Sequence, residues 1–199
     1  MAEMQIKRWA GNAPGADPSR CVLVLPGRAY PVEMPGLALP LRALALNGWT
    51  IWHAAWELDD LDEVARRAVV VRAVAELDTH TAASSQRLVL GKSLGTYAAG
   101  WAADNRVPAI WLTPLLIDKS CAEDIARSAA PAMLVAGTAD LTWDDAAAER
   151  TGKQIVRLAG ADHGFQTGDW RGELGVLSEV AEAVEAFARA QSPGALASL

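Results

Sequence analysis

Arg87-Leu88-Val89-Leu90-Gly91-Lys92-Ser93-Leu94-Gly95 is the stretch on which the fold turns. Arg87–Leu90 is a short apolar run of strand character, and a helical pattern, Leu94 to Asn105, opens directly behind it. Between the two stands Gly-x-Ser-x-Gly, from Gly91 to Gly95. A strand that turns so sharply into a helix leaves no room for side chains on its flanks. Glycines two residues before and after Ser93 relieve the clash, and the hydroxyl then stands exposed at the tip. Serine attacks poorly unless a base takes its proton, so the rest of the chain has to supply a histidine and a carboxylate.

Outward from the elbow, short apolar runs alternate with longer helical patterns. The strand candidates are Cys21–Leu25, Thr50–His53, Arg87–Leu90, Ala109–Leu112, Ala132–Ala136 and Gln154–Leu158, with Gln5–Trp9 as a weaker edge strand. Helical spacing covers about Met34–Leu46, Leu61–Leu77, Leu94–Asn105, Lys119–Ser128, Asp144–Thr151 and Leu174–Ala190. Asp59 and Asp60 stand in front of the second helix, where its dipole favours negative charge. The alternation predicts an α/β protein with a mostly parallel sheet of six to seven strands. The 199 residues read as a single domain, 1–199, with 191–199 a flexible tail beyond the last helix. Only the 19 residues Thr113–Pro131 separate two of the strands, which is room for one short helix and no cap domain. A shallow, open site is expected.

Composition narrows the function. The hydrophobic fraction is 51%, the charged fraction 21% and the net charge −6, with no cluster of lysine or arginine. Nucleic acid and anionic membrane surfaces are therefore not expected partners. Met1–Arg8 lacks the apolar core of a secretory signal, Ala197-Ser198-Leu199 is not the peroxisomal address, and no run of 18 apolar residues occurs. A cytoplasmic location is the expectation. Cys21 and Cys121 lack metal or redox spacing and read as buried thiols, a disulfide between them being the lesser alternative. No metal-ligand cluster or P-loop spacing is present, so no metal or other cofactor is expected.

Ligands of open parallel sheets bind beyond the carboxyl ends of the strands. The segments found there are Pro26-Gly27-Arg28-Ala29-Tyr30, Ala54-Ala55-Trp56-Glu57, the elbow, Thr113-Pro114-Leu115-Leu116, Gly137-Thr138-Ala139-Asp140 and Ala159–Phe165. Ser93, Asp140 and His163 thus fall on one edge, in the chain order Ser, Asp, His. Of the other histidines, His53 reads as buried in a strand and His80 as a helix end. Asp118, which follows the preceding strand, is a rival acid, as are Asp144 and Asp145; Asp144 also suits a helix N-cap. Asp162 reads as a stabiliser of the histidine loop. Lys92, inside the elbow, either raises the local positive potential or is a structurally paired or solvated lysine.

Over roughly residues 20 to 190 the chain resembles the α/β-hydrolase family, in particular its small, lidless, dienelactone-hydrolase-like members. Gly91–Gly95 matches the nucleophile elbow, Gly137-Thr138-Ala139-Asp140 the Gly-x-x-Asp acid turn, and Asp162-His163-Gly164-Phe165 the histidine loop. One departure is Pro26-Gly27, where the family has His-Gly. The resemblance implies a three-layer α/β-hydrolase fold without a cap, with Ser93 as nucleophile, His163 as base and Asp140 as its partner. It places the oxyanion donors at the backbone N–H groups of Leu94 and Arg28. Gly27, Tyr30, Trp56 and Leu115 fall where a pocket would be lined. The implied activity is that of a serine hydrolase of small to medium carboxylic esters or thioesters, with a small-molecule substrate as partner. A catalytically silent binding or scaffolding domain, and an acyltransferase using the same three residues, are the alternatives.

Overall fold

Each central strand carries two alternating apolar sets, and each set is buried under different helices. In the computed structural model, which describes residues 4–191, seven strands form one sheet. They are β1 (Met4–Arg8), β2 (Asp17–Leu25), β3 (Trp49–Trp56), β4 (Gln86–Lys92), β5 (Ala109–Leu112), β6 (Ala132–Gly137) and β7 (Gln154–Leu158). Their spatial order is β1-β3-β2-β4-β5-β6-β7. Every pairing is parallel except that of β1, which runs antiparallel along the edge strand's neighbour β3.

The helices are α1 (Pro35–Leu46), α2 (Glu63–His80), α3 (Ala99–Asp104), α4 (Lys119–Arg127), α5 (Asp145–Arg150) and α6 (Trp170–Ala190). Val22, Val24, Leu88, Leu90 and Ile110 pack in one cluster with residues of α1 and α6. Leu23, Leu25, Val89, Trp111 and Leu134 pack on the other face with α2 to α5. Strand side chains alternate in direction, so a strand apolar at every position must be covered on both sides. The three layers follow from that. Between β5 and β6 the chain holds only α4 and its turns, so no inserted domain stands over the strand ends.

The elements agree with the sequence reading in kind and differ at their ends. α2 begins at Glu63, not Leu61, because Asp62 caps it by accepting from the Ala65 N–H at 2.8 Å; Asp59 and Asp60 lie in the preceding turn. α6 starts four residues earlier than Leu174, at Trp170, where Asp169 accepts from the N–H groups of Arg171 and Gly172. The helix behind the elbow opens as a 3-10 segment, Ser93–Ala98, before α3 continues it. β2 extends back to Asp17 through an irregular register between Asp17 and Cys21. Cys21 and Cys121 are both buried and free. His80 ends α2 and stacks on Trp52. The expected tail lies beyond residue 191, outside the described residues apart from Gln191 itself.

Gly137, the last residue of β6, touches the loop that follows β7: a Cβ built there would stand 1.8 Å from the Ala161 carbonyl oxygen. Gly137→Ala should therefore destabilise the fold by about 3 kcal/mol, since backbone rather than a flexible side chain has to give. At Gly175, inside α6, nothing lies within 4 Å of an added Cβ. Gly175→Ala should stabilise by about 0.5–1 kcal/mol through helix propensity alone. Urea unfolding of both variants checks the pair.

Candidate active site

The elbow is a backbone device before it is a chemical one. Ser93 has φ 49°, a left-handed value that a residue with a Cβ adopts at a cost. A Cβ at Gly91 would lie 2.6 Å from the Trp111 ring, and one at Gly95 would lie 2.2 Å from the Leu25 carbonyl oxygen. Both positions are glycine because β5 and β2 already fill the space. The Thr96 hydroxyl donates to the Ser93 carbonyl at 2.6 Å and accepts from the Leu115 N–H at 3.3 Å, closing the turn.

Three loops converge on the serine. Ser93 Oγ donates to His163 Nε2 at 2.8 Å. His163 Nδ1 lies 3.0 and 2.9 Å from the two Asp140 oxygens and donates to that carboxylate. The His163 side chain is 36% exposed and that of Asp140 is fully buried, so the imidazole faces solvent while the carboxylate is locked beneath it. Burial alone pushes the Asp140 carboxyl upward. Hydrogen bonds from His163, the Thr142 N–H and the Thr142 hydroxyl outweigh it and hold the group below the usual carboxylate range. Asp140 is therefore an anion at neutral pH, able to fix the imidazole tautomer and to stabilise an imidazolium.

Thr142 was not singled out from the sequence. Both its N–H and its hydroxyl donate to Asp140 Oδ1 at 2.8 Å, and its oxygen stands 3.0 Å from His163 Nδ1. The signal was present as Asp140-x-Thr142, the spacing at which an aspartate bonds the backbone two residues on. The rival acids are engaged elsewhere. Asp118 caps α4, accepting from the N–H and hydroxyl of Ser120, and pairs with Arg67. Asp144 caps α5, and Asp145 accepts from Trp143 Nε1 and Arg157. Asp162 accepts from the N–H groups of Gly164 and Gln166 and shapes the histidine loop.

Lys92 is the structurally paired lysine of the two readings, and it is buried rather than solvated, with 1% exposure. Nζ donates to Thr113 Oγ1 at 2.6 Å and to the His163 carbonyl at 2.8 Å, and stands 4.5 and 4.9 Å from the ring centres of Tyr30 and Phe165. Tyr30 thus packs on the lysine, and its hydroxyl accepts from the Gly36 N–H. Leu115 sits behind the elbow, half-buried. Among the described residues, the N–H groups of Leu94 and Arg28 have no hydrogen-bond acceptor within the protein. Gly27 precedes Arg28 and lies close to the elbow serine: a Cβ on it would be 3.7 Å from Ser93 Cβ. Gly27, Arg28 and Trp56 also open onto a cavity of about 750 Å³ that runs along the β1 side of the sheet.

No family model matches the sequence, and a search of curated proteins finds no match. Solved structures do match. An alpha-beta serine hydrolase homologue from Coxiella burnetii superposes with TM-score 0.68 at 17% identity, over 93% of this chain and 90% of that one. The chain has the α/β-hydrolase fold. A serine hydrolase without a lid from Xanthomonas campestris matches with TM-score 0.67 at 16% identity, over 96% and 90% of the two chains. Est1E from Butyrivibrio proteoclasticus, solved with ferulic acid bound, gives 0.71 at 14% identity, over 96% and 95%. The α/β-hydrolase fold accounts for the placement of all three loops at the carboxyl edge, since strand ends after β4, β6 and β7 lead there.

Burial draws the Lys92 ammonium from its ordinary 10.5 down to about 8, against the opposing pull of Asp140 and Asp162. The folded protein therefore sheds this proton before the unfolded chain does. The Lys92 contribution to stability grows as pH rises from about 8 toward 10.5 and is lost as pH falls back through 8. Unfolding midpoints of the wild type relative to Lys92→Met, measured in urea at pH 7.5, 8.5 and 9.5, should shift progressively toward the wild type.

Proposed function

We propose that this chain is a serine hydrolase of small to medium carboxylic esters or thioesters, working as one domain through an acyl-enzyme on Ser93. The observation that carries the reading is the unbroken relay from Ser93 Oγ through His163 to a fully buried Asp140, each link at 3.0 Å or less. The likeness to a serine hydrolase without a lid and to a ferulate-binding Est1E supports it at the level of the fold.

In the proposed acylation, His163 Nε2 takes the proton of Ser93 Oγ as the oxygen bonds to the substrate carbonyl carbon. The carbonyl electron pair moves onto its oxygen. The Leu94 N–H, at the start of the 3-10 segment, and the Arg28 N–H are the donors available for that charge. The bond to the leaving oxygen or sulfur then breaks as the imidazolium returns its proton to that atom. Water, deprotonated by the same histidine, attacks the acyl-enzyme and releases the carboxylic acid and free Ser93. No other co-reactant is needed.

A fluorophosphonate probe should label the wild type and leave Ser93→Ala unlabelled; folded wild type that takes no label would overturn the proposal. Against p-nitrophenyl esters, Asp140→Asn should lower kcat by about four orders of magnitude through loss of the correct tautomer. A loss under tenfold would mean that Asp140 does not orient the base.

A further inference from the structure

The cavity beside Gly27 and Arg28 has a buried polar floor that the proposed chemistry leaves unused. Its volume of about 750 Å³ is in the range of small-ligand sites. Trp9, Trp56, Val32 and Ala38 contribute apolar wall, and the floor includes His53 from β3, only 7% exposed. His53 Nδ1 lies 3.2 Å from the Ala54 carbonyl. A carbonyl can only accept, so Nδ1 carries the proton and Nε2 presents a lone pair. Among the described residues the ring has no other hydrogen bond, and no buried side-chain nitrogen or oxygen lacks a partner. Nε2 must therefore keep contact with solvent, and the cavity is the space it opens onto. Burial lowers the affinity of this ring for a second proton by more than the Ala54 carbonyl and Glu33 raise it, with a smaller push from Lys7 in the same direction as burial, which favours His53 as an acceptor.

Which half of an ester lies there follows from proton transfer. The leaving atom has to reach His163 Nε2, and His163 comes from beyond β7, on one side of the central β4. The cavity extends the other way, over β2, β3 and β1. An ester with its leaving group toward His163 and its carbonyl oxygen at Arg28 sends its acyl chain into the cavity.

We infer that this cavity is the acyl-binding site, and that His53 selects acyl groups carrying a hydroxyl that donates to its Nε2, an aromatic hydroxy acid being the class its two tryptophans suit. This rests on the reading of Ser93 as nucleophile, but the groove can also be tested without turnover.

Methyl esters of 4-hydroxyphenylacetate and 3-(4-hydroxyphenyl)propanoate are compared with their 4-methoxy, 4-carboxy and unsubstituted counterparts. In the wild type, the better-fitting hydroxyl ester should exceed its methoxy partner in kcat/KM by roughly fivefold or more. That ratio should fall to near one in His53→Leu and survive in His53→Gln, which keeps an acceptor; circular dichroism confirms that each variant folds. Binding of the same esters to Ser93→Ala, followed by tryptophan fluorescence, should show the same order of affinities. Fluorophosphonate labelling reports the nucleophile separately, so a protein that takes no label but still ranks the esters keeps the groove and loses the hydrolase. No preference for the hydroxyl in rates or binding, a preference that persists in His53→Leu, or a stronger preference for the carboxylate would each overturn the inference.

Discussion

The carboxyl edge of the sheet depends on how closely the elbow is pressed against β2. Gly95 lies so near the Leu25 carbonyl that a Cβ there would stand 2.2 Å away. That contact brings the end of β4 level with the end of β2, and it sets Gly27 and Arg28 beside Ser93. Ser93 and the Gly27-Arg28 loop are thus located by one packing constraint, not by two independently placed segments. The cost is the left-handed backbone at Ser93, of order 1–3 kcal/mol. Burial of Val22, Leu23, Val24, Leu25, Leu88, Val89 and Leu90, all at 0% exposure, is what offsets it, because the turn cannot relax without parting these strands.

Strain is not spread evenly. Among the described residues only four other than glycine have positive φ, and Ser93, Thr113 and Phe165 are three of them. Each of these three adjoins Lys92. Ser93 follows it in the chain, Thr113 takes its hydrogen bond, and the Phe165 ring lies against its ammonium. A neutral apolar residue in that position would fill the space but could not satisfy Thr113 and the His163 carbonyl together. The lysine ties the ends of β4, β5 and β7 at one point, and the aromatic faces of Tyr30 and Phe165 replace part of the water it has lost. Its charge is buried without a carboxylate in contact, which a purely structural core would avoid.

The fold was legible because burial on both faces makes the five central strands, β2 to β6, largely apolar, and such runs alternating with helical patterns are hard to place otherwise. Their ends were less so. Asp62 and Asp169 set two helix starts by accepting N–H groups of the first turn, which apolar periodicity does not mark. Ser93, Asp140 and His163 were found from chain order and strand ends, without distances. Thr142 went unread, and the partners of Lys92 and the cavity beside His53 were not legible, for a shared reason. Each acts through an atom meeting a group far away in sequence or across a turn, and nothing in the identity of a lysine, a threonine or a strand histidine announces that partner. Tyr30 shows the same limit: its place beside the edge was evident, while its packing against an ammonium was not.

An uncovered edge changes where selectivity can arise. A lid would enclose both halves of a substrate, but here the loop between β5 and β6 holds only α4, and the His163 side chain is one-third exposed. Solvent reaches His163 readily, which suits the proposed hydrolysis and works against excluding small leaving groups. For the proposed hydrolase, discrimination is left to the side of the sheet away from His163, where β1 pairs antiparallel with β3 and widens the platform by one strand. Without β1, β3 would be the open edge strand beside the cavity. With it, Lys7 stands opposite His53 and Trp9 joins the lining, so a strand that carries none of Ser93, Asp140 and His163 helps build the proposed acyl groove.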